Sequence, residues 1–308
     1  TEIYTLSLHD ALPISMINIT RLYSGLSGQS DALRYNAAKA NKCIVVYNCT
    51  SKCNLRCLHC YSSSDCTKSD FQLTTLQAKD MITQIAEYGC PVLLFSGGEP
   101  LLREDLFELI KFASTKGLRT VISSNGTLID EDKARRLADL NLAYVGISLD
   151  GPEQFHDGFR QLKGAFKATV IGIKNCQNAG IKTGLRFTMT MENIDHVPFV
   201  FDFAQEMSVR RICFYHLIQS GRALLDLSED RVETSRMRLA VDTIIETTKE
   251  LTDKKIIDEV FTVGNYADGV YLLLKMLKQK NPAVNDALKL LKVSGGNRIG
   301  QNITSINW

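Results

Sequence analysis

The chain has 308 residues, 44% of them hydrophobic and 23% charged, enough for one large α/β domain or two smaller ones. Its formal net charge of +2 makes no strong electrostatic case for binding nucleic acid or an anionic membrane surface. No apolar run reaches the length of a membrane span.

The first 15 residues lack the basic start of a signal peptide, and His9, Asp10 and Pro13 interrupt their apolar stretch. They read as a non-native or disordered leader, with Met16 as the native start and residues 16–42 as an N-terminal extension. From Cys43 strands and helices alternate. Cys43 to Cys49 is an apolar strand, followed by a cysteine-rich loop. Leu73 to Tyr88 has helical spacing, with Thr74 and Gln77 placed as a capping box. Pro91 to Phe95 is a strand ending in SGGEP, and Glu104 to Lys116 a helix stopped by Gly117. Then come a strand over Leu118 to Ser123, a helix over Asp130 to Leu140, a strand over Ala143 to Leu149, and a turn at Gly151-Pro152. Phe166 to Ala179 (helix), Ile181 to Met189 (strand), Ile194 to Met207 (helix), Arg211 to Leu217 (strand) and Ser228 to Leu251 (helix) follow. After Lys254 the register is less clear, with helical stretches over Val263 to Lys278 and Asn285 to Lys292.

Six strands alternating with helices predict a parallel sheet with right-handed crossovers, with polar and glycine-rich turns at the carboxyl ends of the strands. That is the face where such folds place their sites. Residues 43–252 form this core, and residues 253–308 a C-terminal helical region and extension.

Nine cysteines is an odd number, and three of them fall in CNLRCLHC, Cys53 to Cys60. Without a secretory signal, clustered cysteines point to metal or catalysis in a reducing compartment, the cytoplasm. Three thiolates on a C-x3-C-x2-C loop can each hold one iron of a cubane, leaving the fourth iron open for chemistry. A zinc loop, with His59 or Cys49 as fourth ligand, is the competing reading of the cysteines alone. SGGEP, Ser96 to Pro100, adds two glycines that permit close backbone approach and an acceptor, Glu99, for an ammonium group. A tight turn stiffened by Pro100 is its simpler reading.

Cysteine loop and GGEP turn, one βα unit apart, resemble the radical S-adenosylmethionine (SAM) superfamily. The resemblance implies an incomplete (β/α)6 barrel, a [4Fe–4S] cluster on Cys53, Cys57 and Cys60, and SAM chelated at the open iron. An injected electron would cleave SAM to methionine and a 5′-deoxyadenosyl radical. It also implies cofactor contacts at Ser96, Gly97, Gly98, Glu99 and Pro100, with His59 packing beside the adenine. Asn125, Ser148 and Asp150, at later strand ends, and Arg186, as a clamp for the SAM carboxylate, complete the set. For Asn125, Ser148 and Asp150 an ordinary turn is the plain alternative, and for Arg186 a structural ion pair. His156, Arg160 and His216 are substrate-side candidates. Cys43, Cys49, Cys90, Cys176 and Cys213 read as packing, and Cys66 lies near the cluster loop in sequence.

The segments INITRLYSG and IVVYNCTSKCNLRCLHCYS resemble the haem d1 and alternative-haem branch of that superfamily, of the didecarboxysirohaem deacetylase type. This implies an iron tetrapyrrole substrate, removal of its acetate side chains, a low-oxygen cytoplasm and a flavodoxin- or ferredoxin-like electron donor. FRQLKGAF (Phe159 to Phe166) and SGRA (Ser220 to Ala223) are shared with peptide maturases that carry SPASM-type extensions, so a peptide substrate is the alternative. A non-enzymatic iron–sulfur or zinc module is the third reading. The closing SGGNRIGQNITSINW resembles the start of such an extension, and a second iron–sulfur cluster is expected only in a longer protein.

Overall fold

The structure, a computed structural model, describes residues 16–25, 43–67, 72–227, 232–265, 267–293 and 303–307. The leader expected over residues 1–15 lies outside them. Among the described residues nine strands form one sheet: β1 (Met16–Asn18), β2 (Ile44–Asn48), β3 (Val92–Ser96), β4 (Arg119–Ser124), β5 (Val145–Ser148), β6 (Thr183–Met189), β7 (Arg211–His216), β8 (Glu259–Val263) and β9 (Ile303–Ile306). The order is β1-β8-β7-β6-β5-β4-β3-β2-β9. Neighbours from β2 to β8 are parallel, β9 adds parallel to β2, and β1 closes the other edge antiparallel to β8. The sheet curls. Met16 of β1 and Ile44 of β2, near opposite ends of the order, line one small cavity with Val121 and Tyr144. The six predicted strands are thus β2 to β7 of a partial barrel.

The crossover helices lie where apolar spacing places them. The helix Thr75–Tyr88 is capped as the sequence indicates: Thr74 Oγ1 accepts from Gln77 N at 3.4 Å, and Gln77 Oε1 accepts from Thr74 N at 2.9 Å. Asp130 caps the helix Glu131–Asp139, its carboxylate accepting from Lys133 N at 2.7 Å. The outer sheet face and these helices form one large apolar cluster, in which Phe187, Phe201 and Phe214 are fully buried. Each such side chain stabilises the fold by about 1.5–3 kcal/mol.

Three elements differ from expectation. The run EVFTV is β8, and the helix assigned from Val263 starts at Ala267; β-branched and aromatic residues here extend the sheet beside β7. A helix, Glu153–Arg160, follows the Gly151-Pro152 turn. The long helix expected from Ser228 spans Thr234–Asp253, and residues 228–231 lie outside the described residues.

Candidate active site

At the carboxyl ends of the strands lies a cavity of about 500 Å³. Cys53, Cys57 and Cys60 line it and pack together around Leu55. All three are free thiols. Among the described residues no group of three His, Cys, Asp or Glu side chains converges on a single metal ion. A cubane places each thiolate on a different iron, so its three ligands need not meet at one point. Burial pushes the Cys53 thiol up to about 12, and burial also raises Cys57 against the pull of Arg160. Iron bound to these sulfurs would reverse that preference, since a coordinating thiol is deprotonated outright.

The loop is held in shape from three directions. First comes the glycine turn after β3. Gly98 N donates to Thr50 O at 2.7 Å and Glu99 N to Lys52 O at 2.8 Å. A Cβ on Gly98 would stand 2.0 Å from Lys52 O, and one on Gly97, at φ +131°, 2.4 Å from Thr50 O. The glycines therefore admit the backbone of the cysteine loop itself, while Ser96, Gly97 and Gly98 still line the cavity.

Second, the helix Glu153–Arg160 docks on the loop: Leu58 N donates to Phe159 O at 3.1 Å. Arg160 Nε donates to Asp150 Oδ2 at 2.5 Å, and its Nη1 to Cys57 Sγ at 3.4 Å. Burial, the largest single influence, would raise the Asp150 carboxyl, but the Arg160 charge and hydrogen bond together with the neighbouring His59 and His156 outweigh it and hold Asp150 below its usual range. His156 Nδ1 sits 3.6 Å and His59 Nε2 3.9 Å from the same carboxylate. Burial drives both imidazoles down to about 4, so both are neutral near pH 7.

Third, the SGR stretch crosses from β7. Arg222 Nε donates to Cys57 O at 2.9 Å and Nη2 to Ser64 O at 2.7 Å. Gly221, at φ +58°, lets the chain pass where a Cβ would meet Tyr61 O at 2.4 Å.

The sequence-derived residues fall into two groups. His59, Ser96, Gly97, Gly98, Asn125, Ser148 and Arg186 line the cavity with the cysteines. His59 stacks on Phe159, with ring centroids 4.7 Å apart. Asn125 Nδ2 donates to Asn54 Oδ1 at 2.9 Å and lies 3.9 Å from Cys53 Sγ. Arg186 lies across Gly146 and donates from Nη1 to Ser123 Oγ at 2.9 Å, while its Nε finds no hydrogen-bond partner among the described residues. Glu99, Pro100 and Asp150 are buried behind the cavity wall. Glu99 accepts from Ser124 Oγ and Asn125 N, both at 2.8 Å, and from Leu101 N at 3.3 Å. Burial pushes its carboxyl up to about 7 against those three donors. Pro100 opens the short 3-10 turn Pro100–Leu102. His156 belongs to the Asp150 network, and Cys66 is exposed. Asn48, Tyr61, Arg222 and Asn307 also line the cavity without having been singled out in the sequence. All four sit in stretches whose pattern carries a family resemblance, Asn48 and Tyr61 in IVVYNCTSKCNLRCLHCYS, Arg222 in SGRA and Asn307 in the closing SGGNRIGQNITSINW, but nothing in those patterns singles out the individual residue.

The sequence pattern of the radical SAM superfamily matches residues 47–204. The chain belongs to the radical SAM superfamily. It is 43% identical over 305 residues to Fe-coproporphyrin III synthase of Methanosarcina barkeri, covering 95% of this chain and 76% of that one. Pre-heme d1 synthase of Dinoroseobacter shibae is 36% identical over 269 residues, 86% of this chain and 66% of that one. An AdoMet-dependent heme synthase of Oleidesulfovibrio alaskensis is 34% identical over 58% of this chain and 47% of its own length. The chain thus spans from about half to three quarters of these relatives. Among solved structures, native anSMEcpe with bound AdoMet superposes with a TM-score of 0.59 at 20% identity, covering 77% of this chain and 66% of that one. Streptococcus suis SuiB bound to precursor peptide SuiA gives 0.63 at 16%, covering 76% and 51%. At those identities the likeness shows the fold alone.

This radical SAM enzyme therefore falls with relatives of the haem branch, and its family implies a [4Fe–4S] cluster and SAM. Three free thiols on one loop, facing a cavity large enough for a cofactor, fit such a cluster. No helix among the described residues is long and apolar enough to cross a membrane.

Proposed function

We propose that the chain cleaves SAM reductively at a [4Fe–4S] cluster held by Cys53, Cys57 and Cys60, and directs the radical to acetate side chains of an iron tetrapyrrole on a route to haem or haem d1. The observation that carries this reading is the three-thiol loop opening into one cavity with the Ser96–Gly98 turn. The cofactor, when bound, supplies a carbon radical able to attack unactivated positions. The chain's own residues position it. Ser96, Gly97 and Gly98 offer backbone to its amino acid end, and Asn125 and Ser148 offer polar groups further round the rim. His59, neutral and stacked on Phe159, offers a flat face for a base. Glu99 and Asp150 act from behind the wall, the first fixing the Ser124–Asn125 turn and the second holding Arg160.

The tetrapyrrole assignment is supported by the 43% identity to Fe-coproporphyrin III synthase. A peptide substrate has weaker support: PqqA peptide cyclase of Bradyrhizobium diazoefficiens is 27% identical over 68% of this chain. A flavodoxin- or ferredoxin-like protein in a low-oxygen cytoplasm is the proposed electron source. The test is anaerobic incubation of reconstituted protein with SAM, dithionite and didecarboxysirohaem, read by mass spectrometry. Loss of acetate mass from the macrocycle is expected. An unaltered macrocycle beside continuing SAM cleavage contradicts the substrate assignment.

A further inference from the structure

His216 is the last residue of β7 and lines the cavity, yet it takes no part in the network that shapes the cysteine loop. Its Nε2 lies 2.8 Å from Asp268 Oδ2. Asp268 is 3% exposed and sits in the first turn of the helix Ala267–Lys278. The chain reaches that helix from β8 through Gly264, at φ +92°, which turns it beside the His216 backbone. β8 is paired with β7, Tyr215 opposite Val263, so the carboxylate arrives directly behind the imidazole.

A carboxylate accepting from Nε2–H fixes the neutral tautomer and leaves Nδ1 with a lone pair. Among the described residues Nδ1 makes no hydrogen bond, and it is not one of the sealed, unpaired polar atoms of the interior. An imidazole backed by a carboxylate, with its second nitrogen free at a cavity wall, is the arrangement by which proteins orient a histidine on a metal and raise its basicity. The metal at hand in the proposed reaction is the iron of the substrate, and haem irons commonly take an axial histidine.

We infer that His216, oriented by Asp268, is an axial ligand to the iron of the tetrapyrrole substrate. This rests on the substrate reading given above. The bond is coordinate: Nδ1 donates its lone pair, a water leaves the iron, and no electron is transferred. Ligation fixes the height and tilt of a flat macrocycle whose rim must meet the radical source.

The test titrates the protein with iron-coproporphyrin III and with metal-free coproporphyrin III, following the Soret band and the ferric EPR signal. Wild type should bind the iron form at least about tenfold more tightly than the metal-free form, a ratio equivalent to about 1.4 kcal/mol. His216→Ala should erase that preference, bringing the affinities for the iron and metal-free forms together, and added imidazole should restore the wild-type EPR signal. Asp268→Asn, which keeps the ligand, should give an intermediate preference and an altered signal. An iron preference and EPR signal in His216→Ala equal to wild type overturn the ligand role alone. A wild-type protein that binds neither macrocycle overturns the tetrapyrrole reading, and the ligand role with it.

Discussion

Arg160 donates from Nε to the Asp150 carboxylate at 2.5 Å, and both side chains are buried. The same guanidinium reaches Cys57 Sγ at 3.4 Å, so the pair sets the local field at the metal loop. Reduction adds an electron there, which a nearby cation favours and an anion opposes. Removing one partner at a time should therefore move the cluster potential in opposite directions. Arg160→Gln leaves Asp150 uncompensated and lowers it; Asp150→Asn frees the Arg160 charge and raises it. Shifts on the order of tens of millivolts are expected, a tenfold change in a one-electron equilibrium being about 59 mV. Redox titration followed by EPR reads both, and shifts of the same sign would show general damage to the site. Either variant should also destabilise the fold by about 3–5 kcal/mol, the usual effect of orphaning one member of a buried ion pair.

Gly98 gives a steric prediction. A Cβ there collides with Lys52 O, a backbone atom of the cysteine loop that cannot swing aside. Gly98→Ala should leave the chain folded but with iron content after reconstitution reduced several-fold. Gly158 lies within the helix Glu153–Arg160 with nothing within 4 Å of its Cβ position. Gly158→Ala should keep full iron content and stabilise the fold by up to about 1 kcal/mol, as measured by urea denaturation. Equal iron content in the two variants would contradict the close-approach role of Gly98.

How much of this was legible in the sequence depended on the distance between partners. β2 to β7 are short apolar runs ended by turn residues, and the Thr74–Gln77 capping box is a contact between residues three apart. Local rules reach that far. The helix Glu153–Arg160 was hidden because Gly158 and four charged or imidazole side chains give it a turn-like composition, and its fold is fixed by docking Phe159 and Arg160 on the cysteine loop. β8 follows a lysine pair and is five residues long, so only its pairing with β7 defines it. At the site, the cysteines and the glycine turn were legible because spacing itself encodes their geometry. The burial of Glu99 and Asp150 behind the wall was not. It depends on Ser124 and Asn125 in one case and Arg160 in the other, brought close by the curl of the sheet. Arg222 binds the Cys57 carbonyl from 165 positions away, a relationship that only the fold creates.

Glu99 should give the unliganded protein a pH-dependent stability. Its carboxyl is raised from 4.5 to about 7 in the folded chain, chiefly by burial. Below about pH 4.5 it is protonated in both states, and its contribution is intact. Between there and about pH 7 the unfolded chain releases a proton that the folded chain keeps, so stability falls as pH rises and then levels off. The difference of about 2.5 units corresponds to about 3 kcal/mol. Urea midpoints between pH 5 and 8 should decline in the wild type. Glu99→Gln, less stable at low pH because its amide cannot accept from every donor, should lack this part of the slope. Parallel pH profiles would contradict a protonated Glu99.

The most direct test of the central claim is anaerobic formation of 5′-deoxyadenosine from SAM and dithionite by reconstituted wild type and Cys57→Ala. Wild type should release 5′-deoxyadenosine and methionine in equal amounts, and Cys57→Ala should release neither. Wild-type protein that reconstitutes with zinc alone, or product formation that survives loss of Cys57, would contradict the assignment of this loop as the metal centre of a radical SAM enzyme.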